Sequence, residues 1–107
     1  MHEIKESDWK LFKEVRPQAL QRFCKKVLLE VEGINSDETK SFHQKYLEIY
    51  RVLHDRDKEL ARVFGSLRRS TALVQIAALQ LRGLLNEDEF LRFSEETRNV
   101  VNGMLGS

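Results

Sequence analysis

The chain has 107 residues, of which 41% are hydrophobic and 33% charged, and its formal net charge is +1. Hydrophobic residues at this density exclude a disordered chain, and the length fits one domain, residues 1–107. The balanced charge lacks the basic excess of proteins that bind a phosphate backbone, so we expect no nucleic-acid partner.

The first predicted helix covers about residues 8–32. Ser7 is a suitable N-cap, because its hydroxyl can accept a hydrogen bond from a free N–H of the first turn. Gly33 is the predicted C-cap. Pro17 lies inside the helix, where it lacks the N–H that a helix uses, and it therefore predicts a kink.

The second predicted helix is long, about residues 37–64, with Asn35 or Ser36 as its N-cap. Large hydrophobic residues recur along it in steps of four and three, which is typical of a helix packed along other helices. This stripe consists of Phe42, Tyr46, Ile49, Leu53, Leu60, Val63 and Leu67, with Tyr50 and Phe64 beside it. One position of the stripe falls in the charged run 54–59, so the run must place a charge on the packing surface.

The third predicted helix, about residues 67–82, is hydrophobic on nearly every side. A helix of this kind is normally covered on several faces, which predicts a central position in the fold. Gly83 ends it.

Two short helices complete the chain. Asn86 is the predicted N-cap of a helix over about 87–93, with Glu89 three residues on, as in a capping box. Ser94 has the same role before a last helix, about 95–105.

These elements predict an all-α fold, an up-and-down helical bundle of three long helices, the first kinked at Pro17, plus one or two short C-terminal helices. The single cysteine, Cys24, fits a reducing compartment, and its neighbours indicate a core position. Neither a signal peptide nor a hydrophobic run of membrane-spanning length is visible, so we expect a cytoplasmic protein without a membrane partner.

The functional hypothesis rests on the charged run 54–59. The phase of the stripe turns Arg56 or Asp57 toward the packing surface, where a charge needs a partner, and Arg68 and Arg69 lie just beyond the next turn. We predict an ion-pair network of these four residues at a helix–helix or subunit contact. The protein is then an interaction or scaffold protein, most simply a homodimer, although another protein partner stays open.

The alternative is a metal- or small-anion-binding helical protein, with an enzyme among the possibilities. Tyr50, His54 and Asp57 follow at helical spacing and would line a pocket together with Arg68 and Arg69. Only two metal ligands at most are visible, so we expect neither a metal nor another cofactor. No phosphate-binding glycine loop or nucleophile turn is present, so we assign no catalytic residue and favour a non-enzymatic function.

Four segments resemble those of small, uncharacterised bacterial all-helical proteins. They are residues 6–10 (ESDWK), 56–61 (RDKELA), 68–72 (RRSTA) and 93–98 (FSxETR, where x stands for any residue). The resemblance covers most of the chain and implies an all-helical bacterial protein, but it implies no activity, cofactor or partner.

Overall fold

The structure, a computed structural model, describes residues 3–106, and within that range it contains helices and no strand. The predicted all-helical class is confirmed. The elements are α1 Glu6–Asn35, α2 Phe42–Phe64, a 3₁₀ turn Arg69–Thr71, α3 Ala72–Leu81, α4 Glu87–Leu91 and α5 Glu95–Met104. Only α1 and α2 are long, because α3 has 10 residues. The fold therefore has two long helices where three were predicted.

Helix α1 is continuous through Pro17. The proline is exposed, as is Lys13 four residues earlier, so the carbonyl that loses its helical donor lies on the solvent side. The kink stays a prediction. The predicted cap at Ser7 is wrong, because the helix begins one residue before it, and Lys5 takes the N-cap position without a side-chain hydrogen bond.

The predicted boundaries between α1 and α2 are also wrong. Helical hydrogen bonds continue past Gly33, and the last of them is donated by Ser36. Helix α2 begins five residues later than Asp37, because Ser41 and Gln44 form a capping box. The Ser41 hydroxyl accepts from the Gln44 N–H (3.1 Å), and the Gln44 side-chain carbonyl accepts from the Ser41 N–H (2.8 Å).

The segment before α3 does not join the helix, so the predicted start at residue 67 is wrong. Arg68 has an extended backbone (φ −128°, ψ 136°) that interrupts any helix there. The guanidinium of Arg69 holds the segment against the start of α1, where it binds the Glu6 carboxylate and donates to the Ile4 carbonyl (3.1 Å).

The end of α3 confirms the role predicted for Gly83. Its φ is 67°, in the left-handed region that favours glycine. The N–H of Gly83 bonds to the Gln80 carbonyl (3.1 Å) and that of Leu84 to the Leu79 carbonyl (2.9 Å), which is the Schellman pattern.

The predicted caps of the two short helices are confirmed. Asn86 and Glu89 form the capping box of α4, and the Ser94 hydroxyl accepts from the Thr97 N–H (3.3 Å) at the start of α5. Helix α4 ends at Leu91, two residues before the predicted end.

The hydrophobic core occupies one end of an elongated molecule, whose extents are 52 × 25 × 24 Å. The last buried residue of α1 is Phe23, and the buried residues of α2 are Val63 and Phe64. The largest fully buried side chains are Phe12, Phe93, Ile76, Leu79, Leu84 and Val101. We call residues 3–23 and 61–106 the head, and residues 24–60 the hairpin that projects from it.

Helix α3 is not covered on all sides, contrary to the expectation for so hydrophobic a helix. Ile76 is fully buried, but Val74 and Leu81 are 61% and 70% exposed. The short helices α4 and α5 leave this outer side of α3 open, because the described chain has no further element to cover it.

Candidate functional site

The hairpin has two different sides, separated by the line along which its helices touch. Val27 of α1 and Arg56 of α2 lie on this line, because both side chains line a groove on each side of the hairpin. In each helix, the residue that follows Val27 or Arg56 in the sequence is rotated by about 100° around the helix axis and points to one side of the hairpin. The residue that precedes it is rotated by the same angle in the other direction and points to the opposite side.

The first side is hydrophobic. Its groove has a volume of about 250 Å³ and is lined by Phe23, Cys24, Val27, Leu28, Leu53, Arg56, Asp57 and Leu60. Continuing toward the tip from Leu53 in steps of three and four, the same side of α2 carries Tyr50, Tyr46 and Phe42. We call the set Cys24, Leu28, Phe42, Tyr46, Tyr50, Leu53, Asp57 and Leu60 the hairpin face.

The hairpin face exposes large side chains. Phe42 is 88% exposed, Tyr46 69%, Tyr50 62% and Leu28 64%. Since an aromatic side chain can bury about 150–250 Å², the three aromatic residues alone present on the order of 400 Å². A patch of this size is comparable to the largest hydrophobic patch that a monomeric protein typically exposes.

The opposite side of the hairpin is polar and holds an ion-pair network. Arg56 binds Glu30 of α1 (Nε–Oε1 3.1 Å) and Glu59 (Nη1–Oε1 3.3 Å). Glu59 also binds Arg82 (Oε2–Nε 3.1 Å). Lys26 donates to the Arg82 carbonyl (2.8 Å). The hydrogen bond to Glu30 and the charge of Glu30 raise the pKa of Arg56 above its ordinary value. The network therefore joins α1, α2 and the end of α3 within one chain.

The structure separates the four residues predicted to form one ion-pair network. Arg56 belongs to the polar side, whereas Asp57 is exposed on the hairpin face and forms no ion pair within residues 3–106. Arg69 binds Glu6 at the start of α1. Arg68 is exposed next to it.

The predicted pocket of Tyr50, His54, Asp57 and the arginines is likewise not assembled. The Tyr50 and His54 rings stack with their centroids 6.1 Å apart, and His54 is exposed. Tyr50 lies about 21 Å along α2 from the last turn, beyond which Arg69 is tied to α1. In the described part of the chain, no three His, Cys, Asp or Glu side chains gather as ligands for one ion.

Three residues of the site were not predicted from the sequence. Leu28 belongs to the hairpin face but not to the α2 stripe, and only its place on α1 opposite Leu53 brings it there. Glu30 and Arg82 bind the charged run from 26 and 23 residues away. No local sequence pattern identifies such distant partners of the charged run. One usable signal for Glu30 was that it is an acidic residue on the polar side of α1.

Within residues 3–106, none of the helices is long and hydrophobic enough to cross a membrane. Comparison of the chain with models of protein families, with curated proteins and with solved structures finds no match.

Proposed function

We propose that the protein is a helical interaction or scaffold protein that forms a homodimer through the hairpin face. The observation that carries this proposal is the exposure of Phe42, Tyr46 and Tyr50 along one side of a hairpin that the head leaves uncovered. Keeping these side chains in water costs the free energy that their burial against a partner recovers, about 25 cal/mol per Å².

A second copy is the occupant that fits this surface best. A two-helix face can pack on the same face of an identical chain about a twofold axis, which produces a four-helix bundle. A stable interface buries about 800 Å² on each partner, and the aromatic residues supply roughly half of that. Leu28 and Leu53, 64% and 46% exposed, extend the surface. Tyrosine and phenylalanine are also enriched in the centres of such interfaces.

The charge distribution supports the same face. Four side chains of the polar side already form ion pairs with one another, and Lys26 donates to the main-chain carbonyl of Arg82. That side therefore gains little from a partner. The hairpin face carries one charge, Asp57, among hydrophobic residues. A charge reversal at Asp57 is therefore expected to alter the assembly, whereas one at Arg56 first breaks contacts inside the chain.

Two adjacent leucines of α1 provide the test. Leu28 belongs to the hairpin face, while Leu29 lies about 100° further round the helix, on its outer side. Their exposures are similar, 64% and 56%. We expect light scattering of the wild-type protein to give twice the chain mass of 12.6 kDa. Leu28→Glu should raise the dissociation constant at least tenfold, because it places a carboxylate in the hydrophobic interface.

Leu29→Glu is the matched control and should leave the dimer unchanged. Circular dichroism should show equal helicity for both variants, because neither leucine is buried. A wild-type monomer at every concentration, or equal effects of the two substitutions, would contradict the proposal.

A further inference from the structure

We propose that the hydrophobic groove of the hairpin is a binding site for Phe42 of a second copy, in an antiparallel dimer that brings Lys45 of that copy to Asp57. This inference rests on the proposed homodimer and specifies which residues meet in it.

The groove has the size and lining that an aromatic ring needs. Its volume is about 250 Å³, and a hydrophobic cavity of about 150 Å³ is enough to hold benzene. Six hydrophobic side chains line it, from Phe23, Cys24, Val27, Leu28, Leu53 and Leu60. Phe42 is the most exposed large hydrophobic residue described, at 88%, and it stands at the tip of the hairpin.

Complementary charges accompany the ring and the groove. The Lys45 ammonium lies 5.5 Å from the centroid of the Phe42 ring, so a positive charge lies beside the ring. Asp57 lines the groove. Neither Lys45 nor Asp57 forms an ion pair within the described residues, so both charges are free to pair between copies.

One register satisfies both complementarities. Two α2 helices can pack antiparallel with the twofold axis at the level of residue 51 along the helix. This register places Phe42 beside Leu60 of the other copy. The same register places Lys45 beside Asp57, because the two members of each pair are equally far from the axis. A parallel arrangement would instead set Asp57 against Asp57, and the like charges would repel.

The native cysteine makes this register testable. Cys24 lines the groove, so a cysteine in place of Phe42 should form a disulfide with Cys24 of the other copy under mild oxidation. Within one chain this bond cannot form. Cys24 lies about 16 Å along α1 from the tip where Phe42 begins α2, whereas bridged Cα atoms lie within about 7 Å.

We expect Phe42→Cys to yield a cross-linked dimer whose digest contains a peptide pair joining Cys24 to the introduced cysteine. The double variant Phe42→Cys/Cys24→Ser is the control and should not cross-link. If the Phe42→Cys variant is itself a dimer in light scattering but does not form that bridge, the register alone is overturned. A bridge between the two introduced cysteines in the control would do the same. A wild-type monomer would overturn the homodimer itself.

A charge exchange tests the same register with the phenylalanine in place. Lys45→Glu and Asp57→Lys should each weaken the wild-type dimer about tenfold, because each sets like charges opposite one another. The double variant Lys45→Glu/Asp57→Lys should restore the wild-type dissociation constant. If the two single effects simply add in the double variant, the two residues do not meet and the register is wrong.

Discussion

The guanidinium of Arg56 binds the carboxylate of Glu30 across the two helices of the hairpin, with Nε 3.1 Å from Oε1, although the residues are 26 positions apart. A second contact joins Nη2 to Oε2 at 3.4 Å, so the pair is bidentate. This pair holds the guanidinium of Arg56 on the polar side of the hairpin, whereas Asp57, its neighbour in sequence, lies on the hairpin face.

We expect Arg56→Ala to lower the free energy of unfolding by about 1 kcal/mol, because it removes two partly exposed ion pairs. Urea denaturation measures the change. The loss should shrink in about 1 M salt, where the charges are screened. Arg51→Ala is the control, since Arg51 is exposed on the same helix and forms no ion pair within residues 3–106. Equal losses for the two variants would show that the Arg56 pairs contribute nothing.

A buried carboxylate ties the two ends of the chain together. Asp8 of α1 is 3% exposed. It accepts hydrogen bonds from the Ser94 N–H (2.9 Å), the Ser94 hydroxyl (2.6 Å) and the Thr97 hydroxyl (2.7 Å). Burial acts to raise the pKa of Asp8, but these hydrogen bonds outweigh it and hold the pKa below its ordinary value.

The lowered pKa of Asp8 predicts how stability depends on pH. The pKa in the unfolded chain is about 3.9, so the stabilisation is fully present above that pH and is lost as the pH falls through the lower folded value. Asp8→Asn should reduce the free energy of unfolding by about 2 kcal/mol at pH 7. Its loss of stability between neutral and acidic pH should also be smaller than that of the wild type. Parallel pH profiles would contradict this account.

Two glycines should respond in opposite directions to alanine. Gly83→Ala should destabilise by about 1–2 kcal/mol, because alanine is strained at the positive φ of that position. An added methyl group there meets only the Lys26 Nζ at 3.7 Å, so the backbone alone is responsible. Gly33→Ala should stabilise by about 0.5–1 kcal/mol, because Gly33 is inside α1 with open space around it. Thermal unfolding of both variants checks the two signs together.

The thiol of Cys24 should report the dimer directly. It is half-buried in the groove of the hairpin face, so a second copy seated there would cover it. We expect its alkylation by a maleimide to slow as the protein concentration rises through the dissociation constant. Leu28→Glu should shift this dependence to protein concentrations at least tenfold higher. A rate that is the same at all concentrations, for a protein that light scattering shows to be dimeric, would place the interface elsewhere.

The sequence alone determined the helices and several of their ends. Asn86 with Glu89, Ser94 and Gly83 act within four residues of themselves, so their roles can be derived from local hydrogen bonding and backbone conformation. Boundaries were wrong where a stronger signal competed. The capping box of Ser41 prevailed over Asn35 and Ser36, and the contacts of Arg69 with the start of α1 replaced the first turns predicted for α3.

Only the tertiary structure decided what each helix face meets. Helical periodicity places Phe42, Tyr46 and Leu53 on one side of α2, but it does not say whether another helix covers that side. The core ends at Phe23 of α1, so these residues stay exposed instead of packing inside the chain. The sequence likewise narrowed the charged position to Arg56 or Asp57. The fold separated the two, because only Arg56 lies where the carboxylate of Glu30, distant in sequence, can reach it.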